Sequence, residues 1–282
     1  MTKLIELLGV GISHSVSPAL WREIFAATGA DFEYRLRDLP EDGLITALAA
    51  LRRGRVHLYN ITMPYKSWAY DVAETRSPEV AASFVANTLW LEQGRIASAN
   101  TDVLAAQLLL SELPERCESV LVLGAGATGR SLLTAARSHS AKVYLTNRSA
   151  NRLEQVTARI PGVIVVPWED RQDVAADVDL IVNTTPSGLV NDSSPLPDLS
   201  SSRHGSRTRY LYDLIYRADL TPLQRQAAEA GMPMVDGLAH LEAHARIMLS
   251  MIGLSMSPEN LRTRVVAATG RVPRKWDLVS TS

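Results

Sequence analysis

The chain has 282 residues, with 29 Lys+Arg against 30 Asp+Glu, 46% hydrophobic residues and one cysteine. That length predicts about two domains, and the apolar fraction suffices for a packed core, which excludes wholesale disorder. No run of about 18 apolar residues is present to cross a bilayer. Cys117 alone excludes an internal disulfide and Cys-pair zinc sites, and fits a reducing cytoplasm, while neither half is basic enough for a nucleic-acid footprint.

The N-terminus carries Glu6 inside a short apolar stretch and has no small-residue cleavage site, so residues 4–11 read as a strand and not a signal peptide. Ser17-Pro18 predicts a helix start, with Ser17 as cap and Pro18 in the first position. Leu20, Ile24 and Ala27 follow at helical spacing. A strand is expected over 32–39, and a helix over 41–53 with Leu44, Ile45, Leu48 and Leu51 on one face. A strand over 55–62, a helix over 77–84 and a hairpin over 89–98 turning at Gln93-Gly94 follow. This alternation predicts an α/β layer with a partly parallel sheet.

A helix over 101–113 leads to a continuous apolar strand, 119–123, and a helix ending near Ser138. Strands are then expected over 142–146, 162–167, 179–183 and 209–216, with a helix over 151–159. Thr221-Pro222 opens a helix ending near Gly231; Met234-Val235 is the last strand, and a long helix starts at Gly237. This series is the pattern of a Rossmann-type, doubly wound parallel sheet. Ser187–Thr208, rich in Ser, Pro and Asp, reads as a mobile surface loop. The basic end, with Arg271, Arg274 and Lys275, reads as a solvated terminus.

Gly124-Ala125-Gly126-Ala127-Thr128-Gly129 lies between a predicted strand and a predicted helix, the context a dinucleotide-binding turn requires. Gly124 permits a tight turn, Gly126 a close approach of pyrophosphate, and Gly129 close packing of helix on strand. About 20 residues on, NAD-binding folds place a carboxylate on the ribose hydroxyls. Here the second strand ends in Thr146-Asn147-Arg148-Ser149, followed by Arg152, with no carboxylate. Arg148 can pair with a 2′-phosphate that a carboxylate would repel, and the expected cofactor is NADP.

Three segments gather polar residues at strand ends: Ser13–Pro18, Asn60–Lys66 and Asn100–Asp102. Alone, each fits an ordinary structural role. Ser17 and Asp102 would cap helices, and an isolated lysine is usually on the surface. In order, however, Ser15-x-Ser17-Pro18, Asn60-x-Thr62-x-Pro64-x-Lys66, Asn87-Thr88, Asn100-Thr101-Asp102, the glycine turn and Asn147-Arg148-Ser149 resemble the shikimate dehydrogenase family. Asn183-x-Thr185-x-x-Gly188-Leu189, Tyr216 with Thr221-Pro222-Leu223, and Gly237-Leu238 extend the resemblance over residues 5–255.

The resemblance implies a two-domain α/β enzyme. Residues 1–105, completed by a returning helix over 237–260, would form the substrate domain. Residues 106–236 would form the NADP domain, and 261–282 a tail. Lys66 and Asp102 would be catalytic. Ser15, Ser17, Thr62, Asn87, Asn100, Tyr216 and His244 would bind a small carboxylated ring. NADP would lie on Gly124, Ala125, Gly126, Ala127, Gly129, Asn147, Arg148, Ser149, Arg152, Thr184 and Gly237. The implied reaction is reversible reduction of 3-dehydroshikimate to shikimate; a paralogue acting on quinate, an aminoshikimate or another small carboxylated ring, and a non-catalytic ligand sensor on the same fold, are the alternatives. A monomer or homodimer without nucleic-acid or membrane partners is expected.

The pattern is broken on the expected substrate side. Trp21-Arg22 stand where the family usually has His-Asn, and Ser98 and Ala105 replace two glycines. The late Gly-Leu-x-Met-Leu-x-x-Gln becomes Gly237-Leu238-Ala239-His240-Leu241-Glu242-Ala243-His244, so that His244 replaces the Gln. These changes are expected to alter how ring hydroxyls are read.

Overall fold

A computed structural model describes residues 2–189, 191–200 and 207–278. The chain divides into two compact units: residues up to Thr101 with Ala245–Val272, and Asp102–His244 with the segment from Pro273 onward. In chain order the first unit holds β1 (Lys3–Gly9), α1 (Ser17–Thr28), β2 (Phe32–Asp38), α2 (Gly43–Arg52), β3 (Leu58–Ile61), α3 (Lys66–Val72), β4 (Thr75–Arg76), α4 (Pro78–Ser83), β5 (Thr88–Glu92) and β6 (Arg95–Ala99). Next come α5 (Thr101–Ser111), β7 (Ser119–Leu123), α6 (Ala127–His139), β8 (Lys142–Thr146), α7 (Ala150–Thr157), β9 (Ile164–Val166), α8 (Arg171–Asp177), β10 (Leu180–Asn183), β11 (Tyr210–Asp213), α9 (Pro222–Glu229) and β12 (Met234–Val235). Finally α10 (Gly237–Met251) leads back to the first unit and its α11 (Pro258–Thr269), and β13 (Lys275–Asp277) returns to the second.

The sheet of the first unit runs β2-β1-β3-β5-β6-β4. β1 pairs in parallel with β2 and β3, and the β5–β6 hairpin runs antiparallel to β3. Gln93 and Gly94 both take positive φ, as a two-residue hairpin turn of matching twist demands. The expected alignment of α2's apolar face is only partly observed. Leu44, Ala47 and Leu51 enter a core with Leu8, Tyr59, Ile61, Leu89 and Ile96, whereas Ile45 is 80% exposed.

The second sheet runs β13-β12-β11-β10-β7-β8-β9. Except for β13 it is parallel. Its order is that of the doubly wound dinucleotide fold, reversing between β7 and β10, where ligands bind such sheets. β7, β10 and β11 are nearly continuous buried runs, because helices cover both faces of a parallel sheet.

Several expectations need correction. Ser17 is not the cap of α1: the helix begins at Ser17, Val16 precedes it, and no side chain caps it. Residues 261–278 form no solvated tail, and residues 279–282 lie outside the described residues. α11 packs on α1, and β13 pairs with β12. Arg274 meets the buried Asp236 at 3.2 Å, Lys275 pairs with Glu112, and the Trp276 indole donates to the Leu109 carbonyl at 2.9 Å. These partners are distant in sequence, so no local signal announced them. Part of the expected mobile loop is also pinned: Leu196 and Leu199 enter the second core, and the Arg171 guanidinium donates to the Pro195 carbonyl at 2.7 Å. Residues 190 and 201–206 of that loop lie outside the described residues. α3, β4, α8, α11 and β13 were unanticipated. Each is either a few residues long or, like α11, buries too few apolar residues to show a period.

Among the described residues no helix is long and apolar enough to cross a membrane. Among them, no three His, Cys, Asp or Glu residues gather as a metal site.

Candidate active site

In the first unit the polar segments converge at the ends of β1, β3 and β6. β1 ends at Gly9, where a Cβ would lie 2.5 Å from the Thr62 methyl and 2.9 Å from the Met63 carbonyl. Only glycine lets the chain pass so close to the loop carrying Thr62 and Lys66. Thr62 N–H donates to the Leu8 carbonyl and its own carbonyl accepts from Tyr65 N–H, forming the turn that starts α3 at Lys66. Lys66 is only 8% exposed, contrary to the usual surface placement of lysine.

Asn87, 3% exposed, accepts at Oδ1 from the Thr101 N–H (2.8 Å) and the Thr101 hydroxyl (2.9 Å). The Asn100 side-chain amide donates to the Ser83 hydroxyl (2.9 Å) and the Val85 carbonyl (3.1 Å). Much of the asparagine chemistry therefore braces this loop cluster. Asn60 likewise accepts from the Tyr34 hydroxyl at 3.0 Å and donates to Thr88. Ser15 and Ser17 are half-buried; Ser15 Oγ accepts from Ser17 N–H at 3.3 Å. The Ser17 hydroxyl, not spent on capping, is available to an anion.

Trp21 does not read a ligand from this position. It is 1% exposed and stacks on Tyr34 with ring centroids 5.7 Å apart. Ser98, 1% exposed, donates to the Thr75 carbonyl at 3.1 Å, and Ala105 is fully buried. Trp21, Ser98 and Ala105 are thus packed into the fold, which leaves Arg22 and His244 as the departures that can alter how ring hydroxyls are read.

In the second unit the glycine turn has the geometry a pyrophosphate needs. Gly124 has φ of +106°, a left-handed value that disfavours side chains. A Cβ on Gly129 would sit 2.1 Å from the Gly124 carbonyl oxygen, so helix and strand touch there. A Cβ on Gly126 would meet nothing within 4 Å. That open space faces the N-terminus of α6, where free N–H groups and the helix dipole favour an anion. The dinucleotide therefore fits the residues present. Ala125 and Ala127 line the same turn. Asn147 Oδ1 accepts from Ala125 N–H at 3.2 Å, and Thr184 donates to the Leu123 carbonyl at 2.8 Å. Asn147 and Thr184 thus shape the cradle from the ends of β8 and β10. Arg148, Ser149 and Arg152 are exposed at the start of α7, and Ser149 occupies its cap position. A Cβ on Gly237 would lie 2.2 Å from the Leu214 carbonyl and 2.9 Å from the Tyr216 ring, so this glycine seats the half-buried Tyr216.

The motif Asn183-x-Thr185 proves to be scaffolding. Asn183 donates to the fully buried Asp213, which also accepts from Thr221 and from Ile215 N–H. Burial pushes the Asp213 carboxyl up to about 6, partly offset by those donors. Thr221 forms a capping box with Gln224, as its Thr-Pro start predicted.

Asp102 is 6% exposed in the first turn of α5, where the helix dipole favours its charge. His240 Nε2 stands 3.6 Å from its Oδ1, and His240 Nδ1 is 2.5 Å from the Tyr212 hydroxyl. Burial pushes the Tyr212 phenol well above its usual range, with the nearby Asp102 charge adding to it. Sequence reasoning took up His244, half-buried on α10, and missed His240 and Tyr212. The available signal was the four-residue spacing of the two histidines, which puts them on one helix face.

Two family models match the chain. The shikimate dehydrogenase substrate-binding domain covers residues 7–89, and shikimate/quinate 5-dehydrogenase covers residues 106–240. An NADP(+) shikimate dehydrogenase of Sinorhizobium fredii is 32% identical, over 83% of each chain. One of Aeropyrum pernix is 32% identical over 94% of this chain and 97% of its own. A crystal structure of shikimate 5-dehydrogenase from Thermus thermophilus, in complex with NADP(H) and shikimate, superimposes with a TM-score of 0.81 at 27% identity. It covers 94% of this chain and 99% of that one.

Proposed function

Because the chain belongs to the shikimate dehydrogenase family, we propose that it interconverts 3-dehydroshikimate and shikimate as an NADP-dependent dehydrogenase. The reading is supported above all by two buried charges, Lys66 and Asp102, at 8% and 6% exposure. Burying ionised groups is costly, and a module that only bound its ligand would gain nothing from this acid–base pair.

NADPH, when bound, supplies the hydride that reduces the ring ketone. The ketone oxygen gains negative charge as hydride arrives and takes up one proton. The Lys66 ammonium stabilises that developing charge, and Lys66 and Asp102 are the groups that supply the proton. In the reverse direction they remove it. Ser15 and Ser17 hold the substrate carboxylate, and Thr62, Asn87 and Asn100 contact ring hydroxyls, with Tyr216 and His244 completing the set. Gly124 to Gly129 receive the pyrophosphate, Gly237 adjoins the cofactor, and Arg148, Ser149 and Arg152 read the 2′-phosphate.

The test is NADP reduction measured in parallel with shikimate, quinate and amino analogues. Turnover with highest kcat/KM on shikimate is expected. A preference for quinate or an amino analogue would move the chain to a paralogous activity, and binding without turnover would refute the enzyme assignment.

A further inference from the structure

Tyr212 and His240 form a buried series with Asp102, and of the three the reaction as described uses only Asp102. Tyr212 is fully buried on β11, His240 is 9% exposed on α10, and Asp102 is 6% exposed on α5. The phenol oxygen lies 2.5 Å from His240 Nδ1. On the opposite edge of the imidazole, Nε2 is buried without a hydrogen-bond partner, and Asp102 Oδ1 is 3.6 Å away.

The proton arrangement follows from elementary accounting. If Nδ1 carried the hydrogen, it would donate to the phenol oxygen, and Nε2 would turn a lone pair toward a carboxylate. The phenol hydrogen would also lack the acceptor it now faces. If Nε2 carries the hydrogen, Tyr212 donates to Nδ1 and the N–H is directed at the Asp102 carboxylate. Both contacts are then favourable, and this tautomer is selected. The Tyr212 phenol keeps its proton because burial opposes its ionisation. Asp236 approaches the same helix start, but its carboxylate is occupied by Leu238 N–H, Ala239 N–H and Arg274.

We propose that His240, locked in its Nε2–H form by Tyr212, is a positioning residue for Asp102, orienting its carboxylate for the reaction. The inference rests on Asp102 being catalytic, as argued above. At 3.6 Å the contact is longer than a hydrogen bond, so its expected effect is at the low end for charge-assisted pairs, about tenfold in kcat.

The experiment compares His240→Met, His240→Gln, Tyr212→Phe and Asp102→Asn, with kcat, both KM values and the melting temperature measured for each. Met keeps apolar bulk without a donor, whereas Gln restores an N–H near the Nε2 position. His240→Met is expected to lose about tenfold in kcat with the KM for NADP unchanged, and His240→Gln to recover to within about threefold of the parent. Tyr212→Phe is expected to lower kcat without changing the NADP KM, since it frees the tautomer. Equal impairment of the Met and Gln variants overturns the proposal, since that marks a packing role. Wild-type kcat in His240→Met overturns it too. Should His240→Met fail to fold, wild-type kcat in Tyr212→Phe overturns it. Full turnover by Asp102→Asn would instead overturn the assignment of Asp102 itself, which separates the two failures.

Discussion

Two glycines three residues apart, Gly126 and Gly129, should respond to the same substitution in opposite ways. In Gly129→Ala the new Cβ would sit 2.1 Å from the Gly124 carbonyl oxygen and 3.0 Å from the Thr184 hydroxyl. The oxygen is backbone and cannot swing aside, so α6 must retreat from β7 by roughly 1 Å, an overpacking cost of about 1–3 kcal/mol. Stability of the free protein and NADP affinity should fall together. Gly126→Ala meets nothing within 4 Å, and its φ of −74° suits any residue. Its effect on the free protein should stay within about 1 kcal/mol. The methyl would nevertheless occupy the space where a phosphate approaches the first N–H groups of α6. Loss of one hydrogen bond to a charged group, about 1.5–3 kcal/mol, weakens NADP binding roughly 10- to 100-fold. Thermal unfolding of the free proteins and calorimetric titration with NADP separate the two effects. NADP affinity within twofold of the parent in Gly126→Ala would refute the phosphate cradle.

Lys66→Ala should abolish turnover while NADP binding, measured by titration, survives; near-parental kcat would remove Lys66 from the reaction. Arg148→Ala should raise the KM for NADP by about tenfold and leave that for NAD almost unchanged, the low end for a charge-assisted contact because Arg148 is exposed. An unaltered NADP/NAD ratio would contradict it. Asp213 supplies a pH signature. Its folded pKa of about 6 lies above the ordinary 3.8, so the folded state binds the proton more tightly. This contribution is complete below about pH 4 and is lost as pH rises through 6, amounting to about 3 kcal/mol. In denaturant unfolding, Asp213→Asn should therefore gain stability relative to the parent between pH 4 and 7; a constant difference across that range would count against it.

Much of what is local in this protein can be read from its residues alone. Strand 119–123, the glycine turn and strand 142–146 were legible because the continuous apolar runs and Gly124-x-Gly126-x-x-Gly129 state their own conformational needs. The same holds for the Gln93-Gly94 hairpin and the Thr221-Pro222 helix start, since turn and cap chemistry act within four residues. The ordered motifs also carried the family. Which polar residues serve as scaffold depends instead on partners distant in sequence. Asn183 and Asn60 look like ligand-binding residues in a motif, but their partners, 26 to 30 residues away, make them braces. Trp21 became core through stacking on Tyr34, and Arg274 found Asp236 38 residues back. The approach of Tyr212 and His240 to Asp102 joins three elements that sequence order keeps far apart. Periodicity reports which face of an element is buried, but which side chains meet there depends on the packing of elements against one another.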